Sequence, residues 1–375
     1  MRNILLPLLV FALFSCTKKE DENVFVFNNI RNNSTVMGWD QLSYDVEYIA
    51  LETTDESVFS VAHGLKFDGD FFFVLSMEGV FQFSRDGKFI RKISNQGHGP
   101  QEYIFLIDIA IDSENRTIYL YDSDGKLLVY SYEGHFLRSF TVGRFMFSKL
   151  FVVEHDRTVI VHYNFLGNEG AVIYDCDLDK TTVNAIGKLP TFTIDGQEKR
   201  MYTVTKAVFE INNQMVIHPN MSNSVYSYDI RSKTLEKRYE FIFDIPFYPK
   251  MMGKGFMALE ESQALIDISE DSKHIFATIG DRGMYQFNYY IIDKETKESY
   301  LSGLRYGDGF KSTFRAKYQS GNMIADIINW SNLNYPQGEK PTEKEIECAL
   351  HFFSTNTQTE LDLYSNPVIA IISRR

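Results

Sequence analysis

The sequence predicts an all-β fold: a six-bladed β-propeller of four-stranded antiparallel blades, with a short helical insertion in the last blade. Three observations carry this. First, residues 61–143 hold two passes of one pattern, in which short apolar strands are separated by turns built on Asp, Glu and Gly. The first pass contains Gly64-Leu-Lys-Phe-Asp-Gly-Asp and turns at Arg85-Asp-Gly87; the second contains Asp108-Ile-Ala-Ile-Asp and turns at Tyr132-Glu-Gly134. Phe67 to Ile111 is 44 residues and Gly87 to Gly134 is 47, a spacing that fits one propeller blade per repeat. Second, Ile266-Asp-Ile-Ser-Glu-Asp-Ser repeats Ile107-Asp-Ile-Ala-Ile-Asp-Ser at five of seven positions, so the unit recurs beyond a weaker middle region. Third, Tyr44-Asp-Val-Glu-Tyr-Ile-Ala-Leu51 alternates polar and apolar residues ahead of the first complete unit. A propeller must close its ring, and a lone N-terminal strand is what completes a last blade.

The other units follow in order. A third covers about 144–190, through Leu150-Phe-Val-Val, Thr158-Val-Ile-Val-His and Ala171-Val-Ile-Tyr-Asp. A fourth covers about 202–243, from Lys206-Ala-Val-Phe through Gln214-Met-Val-Ile to Val225-Tyr-Ser-Tyr-Asp. The fifth continues into His274-Ile-Phe-Ala-Thr and Phe287-Asn-Tyr-Tyr-Ile-Ile-Asp. The sixth is expected to begin at Ser312-Thr-Phe-Arg-Ala, pass Asn322-Met-Ile-Ala-Asp-Ile-Ile and end at Asn366-Pro-Val-Ile-Ala-Ile-Ile372. Two insertions interrupt the series. Residues 244–263 carry two prolines, and residues 331–363 place Ile346, Ala349, Leu350 and Phe353 at helical spacing after Pro341, which suits a first helical turn. One helix packed on the propeller is the expectation there. Both insertions either rim a binding face or simply pack.

The N-terminus reads as a processing segment. Arg2 precedes an apolar run from Ile4 to Phe14, and Leu13-Phe-Ser-Cys16 resembles a lipoprotein signal box with a small residue before the cysteine. The run is too short to span a bilayer about 30 Å thick. The domain expectation is therefore a signal peptide over 1–15, a lipidated Cys16 with a tether over 16–43, and the propeller over 44–375. Within the tether Val24-Phe-Val-Phe27 is one possible strand. Thr17-Lys-Lys-Glu-Asp-Glu22 looks like an export signal of surface-exposed Gram-negative lipoproteins, or is simply a solvated linker. The expected location is the outer membrane, at its exposed face.

Composition narrows the function. The 375 residues are 44% hydrophobic and 15% aromatic, which gives a globular chain with side chains suited to strands. A formal net charge of −12 excludes nucleic acid as the expected partner, since its phosphates would be repelled. Besides Cys16 only Cys176 and Cys348 are present, too few for a disulfide framework, and no zinc-type spacing of Cys and His occurs. The eight histidines form no His-x-His or His-Glu-x-x-His pair, and neither a Gly-x-Ser-x-Gly elbow nor a phosphate-binding Gly-x-x-x-x-Gly-Lys loop is found.

Glu52-Thr after the opening strand, Gly97-His-Gly-Pro-Gln-Glu-Tyr103 between the first two units, and Asn366-Pro-Val-Ile near the end resemble a family of six-bladed β-propeller lipoproteins, themselves similar to NHL-repeat propellers. Gln101 stands where that pattern has a third glycine. The resemblance implies the fold and an envelope location; it implies no activity and no catalytic residue.

Three places invite chemistry. The Gly97–Tyr103 loop is either a ligand cradle of exposed N–H groups beside His98 or, as favoured, a connector between blades. Asp122-Ser-Asp-Gly125 resembles the start of a calcium loop but lacks its far Glu, and Asp-Gly between strands is a hairpin turn. The third is the channel. The first residues of the innermost strands face it, and aligning the repeats brings His63 or Gly64, Asp108, Lys149, Lys206, Asp267 and Arg315 to comparable places. Such a ring either binds a polar or charged ligand or neutralises itself around trapped water. Exposed aromatics such as Trp330 beside the second insertion either stack on sugar rings or a partner, or pack in the core. The functional expectation is a monomeric, lipid-anchored, non-enzymatic propeller that binds an envelope protein or a glycan or peptide ligand at the channel face. The alternative is a propeller hydrolase or lyase with a central-channel metal. No cofactor can be named from the residues.

Overall fold

The computed structural model describes residues 23–27, 35–145, 148–155, 157–163, 171–188, 208–211, 214–218, 223–229, 231–246, 262–281, 286–331, 333, 335 and 340–374. Six sheets stand around a central channel, each with its first strand innermost. Blade one runs through Ala62–Phe67, Phe71–Ser76, Gly79–Ser84 and Phe89–Ile93, and blade two through Leu106–Asp112, Thr117–Asp122, Lys126–Ser131 and Phe136–Thr141. Blade three spans Ser148–Glu154 to Thr182–Lys188, blade four Val208–Ile211 to Thr234–Phe243, and blade five Ala264–Glu270 to Ser299–Ser302. Blade six has Tyr318–Ser320, Met323–Ile328 and Val368–Arg374 from the C-terminal part of the chain. Its outer strand is Tyr44–Ala50, paired antiparallel in register from Val368–Ala50 to Arg374–Tyr44. The expected ring closure by the 44–51 strand is thus what the chain does.

The residues named by the resemblance hold this seam together. Asn366 is fully buried; its Nδ2 donates to the carbonyls of Glu52 (2.8 Å) and Ser57 (3.0 Å), and its Oδ1 accepts from Phe59 N (3.2 Å). Glu52 in turn accepts from Phe89 N at 2.8 Å. Gly87 sits at φ +85°, and a Cβ there would lie 2.1 Å from the carbonyl oxygen of Ala50, so only glycine fits against the closing strand.

Two features differ from the expectation. The stretch expected as tether adds strands to the propeller: Val24–Phe27 runs parallel to the outer strand of blade four, and Val36–Met37 runs parallel to that of blade five. Phe25 and Phe27 are buried there, packed against Tyr239, Phe241 and Phe243. The inner strand of blade six also starts at Tyr318 rather than Ser312. Ala316 adopts φ +49°, which breaks extension, and the preceding segment instead buries Leu304, Tyr306, Phe310 and Phe314 beneath the insertion. The insertion carries the expected helix, Glu343–Thr357, capped by Thr342 and Glu345 in a reciprocal box. Ala349 and Phe353 are its buried residues, and Tyr48 of the closing strand meets Phe352 and Phe353 edge-on. The 244–263 insertion lies largely outside the described residues.

Candidate ligand site in the central channel

The inner strands of blades one, two and five share a β-bulge near their starts: the register slips between Ala62 and Gly64, between Leu106 and Asp108, and between Leu265 and Asp267. Asp108 and Asp267 are therefore structural equivalents, as the repeat alignment expects, and Gly64 is the third member. His63 sits on the bulge itself, one residue earlier. A bulge re-aims side chains locally, so sequence alone left His63 and Gly64 unresolved.

Four of the six expected residues come together. Lys149 Nζ lies 3.4 Å from Asp108 Oδ1, while Asp108 Oδ2 accepts from Leu150 N at 2.9 Å, which ties blade two to blade three. Burial lowers the His63 pKa, and Lys149 and Lys317 lower it further while Asp108 opposes them. Burial pushes the Asp267 carboxyl up to about 6, against the Ile268 N–H, Lys317 and Lys149. His63, Asp108, Lys149 and Asp267 thus lie within electrostatic reach of a shared space. Arg315 stands apart from that purpose: it precedes its strand, and its guanidinium donates to Tyr335 O at 2.6 Å and lies over the Tyr289 ring at 5.7 Å. Lys206 lies outside the described residues, as does Cys16.

Sequence reasoning missed Lys317 and Asp326. The Lys317 ammonium is held protonated first by its neighbour Tyr318, then by Asp326 and Asp267, and it has no carboxylate at ion-pair distance among the described residues. Asp326 is buried on the second strand of blade six, accepting from Tyr306 OH (2.7 Å) and Arg315 N (2.9 Å). The signal was available: a lysine two residues past Arg315, and an aspartate inside Met-Ile-Ala-Asp-Ile-Ile.

The other candidates resolve as architecture. In the Gly97–Tyr103 loop the Glu102 carboxylate accepts from Gly99 N (2.8 Å) and would clash with a Cβ on Gly97 (2.1 Å); Tyr103 is buried between blades, so the loop is a connector. Asp122 Oδ1 accepts from Asp124 N (3.0 Å) and Lys126 N (2.8 Å), and Gly125 has φ +83°, which is a hairpin turn. Trp330 is buried, donating to Asn366 O at 3.1 Å. Cys176 and Cys348 are both free thiols. Among the described residues no three His, Cys, Asp or Glu side chains are grouped as a metal site requires, and both Asp108 oxygens are already engaged, so no step through a metal is derived.

The raised Asp267 pKa has a consequence for stability. It lies above the unfolded value, so the penalty is absent below about pH 4 and grows as pH rises through about 6. Asp267→Asn is expected to stabilise the protein at pH 8 by up to about 3 kcal/mol and to leave it unchanged near pH 4. Urea midpoints at the two pH values check this; equal midpoints at pH 8 would show that the carboxylate is not desolvated.

Residues 21–373 match the model of a family described as "Domain of unknown function (DUF4934)". No curated protein matches the chain. Among solved structures, a Bacteroides fragilis protein inferred to be exported superposes with a TM-score of 0.68 at 13% identity, covering 94% of this chain and 99% of that one. The similarity to U3-55K has a TM-score of 0.44 at 9% identity (87% and 98% covered), and that to BamB from Moraxella catarrhalis 0.40 at 11% (74% and 71%). The first of these supports the propeller fold.

Proposed function

This chain belongs to the DUF4934 family, whose description assigns no activity, and from that premise we propose that it is a non-enzymatic binding propeller of the cell envelope, anchored through a lipid on Cys16. Its ligand is a partner protein, glycan or peptide taken at the channel mouth. The observation that carries the reading is the pair of unspent opposite charges there. Among the described residues Asp267 accepts a hydrogen bond only from its own neighbour Ile268 N (3.0 Å), and Lys317 lies over the Tyr318 ring, with Asp267 and Asp326 acting on it through space without an ion pair. A ring that merely neutralised itself would close such charges into ion pairs, as Lys149 and Asp108 do. Left open, they offer a donor and an acceptor to a polar ligand, with His63 alongside. The short apolar leader and Ser15-Cys16 support the anchor, and the Lys-then-acidic stretch after it supports surface display.

The test uses the soluble Cys16→Ala protein to capture partners or ligands from envelope extract, comparing it with the same protein carrying Asp267→Asn and Lys317→Met. Capture lost with either substitution, at a melting temperature no lower than that of the parent, supports the mouth as the site. Capture indifferent to both refutes it. Labelled palmitate incorporated by the wild type and absent from Cys16→Ala supports the anchor; equal labelling refutes it.

A further inference from the structure

Further along the channel, towards the C-terminal ends of the inner strands, lies a cavity of about 370 Å³ that the mouth residues do not line. Its polar side chains include Lys66 of blade one and Glu210 of blade four, with Phe151 of blade three beside Lys66. Lys66 Nζ sits 4.8 Å from the centre of the Phe151 ring and has no carboxylate at ion-pair distance among the described residues. Glu210 is the carboxylate that faces it through the cavity. The two groups feel each other's charge but do not bond: burial raises the Glu210 pKa while Lys66 opposes it, and burial lowers the Lys66 pKa while Asp108 and Glu210 oppose it.

A half-buried ammonium and a solvent-reached carboxyl that share a cavity without touching each leave a charged end open to a third group. Direct pairing would satisfy them, and the fold instead holds them on different blades with space between. The occupant that satisfies both brings its own carboxylate to Lys66 and its own ammonium to Glu210. Ile111, Leu150 and Ile211 give the same cavity an aliphatic wall. We propose that this cavity is a second binding site, for a small zwitterion of the free amino acid or dipeptide class, with Lys66 and Glu210 holding its two charged ends and the apolar wall its side chain. The site is separate from the channel mouth and does not rest on it.

The probes are L-leucine and glycyl-leucine, with N-acetyl-leucine (no ammonium), leucinamide (no carboxylate) and maltotriose (neither), titrated calorimetrically into the soluble Cys16→Ala protein. The expected result is binding of the two zwitterions and at least tenfold weaker binding of the three controls. Lys66→Met removes the preference for the free carboxylate, Glu210→Gln removes the preference for the free ammonium, and Asp267→Asn leaves both within twofold. Each variant folds independently of the other's result, so either one reads the site if the second is unstable. No heat with either zwitterion at millimolar concentration overturns the proposal, as does equal binding of maltotriose or preferences that survive both substitutions. Loss of capture at the mouth with zwitterion binding intact would separate the two sites.

Discussion

Phe353→Ala is expected to destabilise the protein by about 3–5 kcal/mol, the range for emptying a fully buried aromatic site. Phe353 is fully buried, and its ring meets five aromatic rings at centroid distances of 5.1 Å (Phe352), 5.6 Å (Tyr306), 5.7 Å (Tyr48), 5.9 Å (Phe310) and 5.9 Å (Trp330). These neighbours come from the helix, the segment before blade six, the closing strand and the loop after Met323–Ile328. Collapse around the cavity would require all four to move together, which places the cost in the upper half of the range. The closing strand loses its contact with the helix at the same time, so the damage falls on the seam of the ring. Denaturant unfolding measures the cost, and near-UV circular dichroism reports the environment of Trp330, one of two tryptophans. A cost below about 1 kcal/mol would mean that the helix is a passive passenger on blade six.

Glu270→Ala is expected to cost about 3–4 kcal/mol, because it leaves two enclosed cations without their anion. Glu270 ends the inner strand of blade five and is fully buried. Its Oε1 lies 2.6 Å from Arg238 Nη2 and its Oε2 lies 2.6 Å from Lys294 Nζ, while Tyr239 OH donates to Oε2. The backbone of Glu270 is also gripped by Gln319 of blade six, which donates to its carbonyl at 2.6 Å. One residue therefore joins blades four, five and six. The Arg238 and Lys294 side chains keep 18% and 21% of their exposure, so partial rehydration holds the cost below the top of the usual range. The double variant Glu270→Ala with Arg238→Met is expected to recover at least about 1 kcal/mol of the loss, since the stranded guanidinium goes with its partner. Strict additivity of the two substitutions would show that the pair is solvated after all.

Most of the scaffold was legible in the sequence, and most of the site was not. The strand pattern of blades one and two was readable because short apolar strands lie between Asp-Gly or Glu-Gly turns, and that of blade five because Ile266–Ser272 repeats Ile107–Ser113; these signals act over fewer than ten residues. The helix over Glu343–Thr357 was readable from its apolar spacing for the same reason. The start of blade six was misplaced because Ser312–Ala316 has strand-like composition, while its backbone is bent by Ala316 to pack under the helix. Val24–Phe27 was readable as a strand, but its partner in blade four, more than two hundred residues away, was not.

What the sequence determined by itself is the ring: the repeated unit, its number, and closure by Tyr44–Ala50. These follow from periodicity and turn chemistry, which are properties of short segments. What only the tertiary structure decided is which charges meet inside that ring. A bulge put His63 into the channel beside Asp108, a rebuilt sixth blade replaced Arg315 with Lys317, and three separate blades brought Lys66, Phe151 and Glu210 to one cavity. Charge pairing depends on distances of a few ångströms, and those distances are set by how blades pack around an axis that no local pattern records.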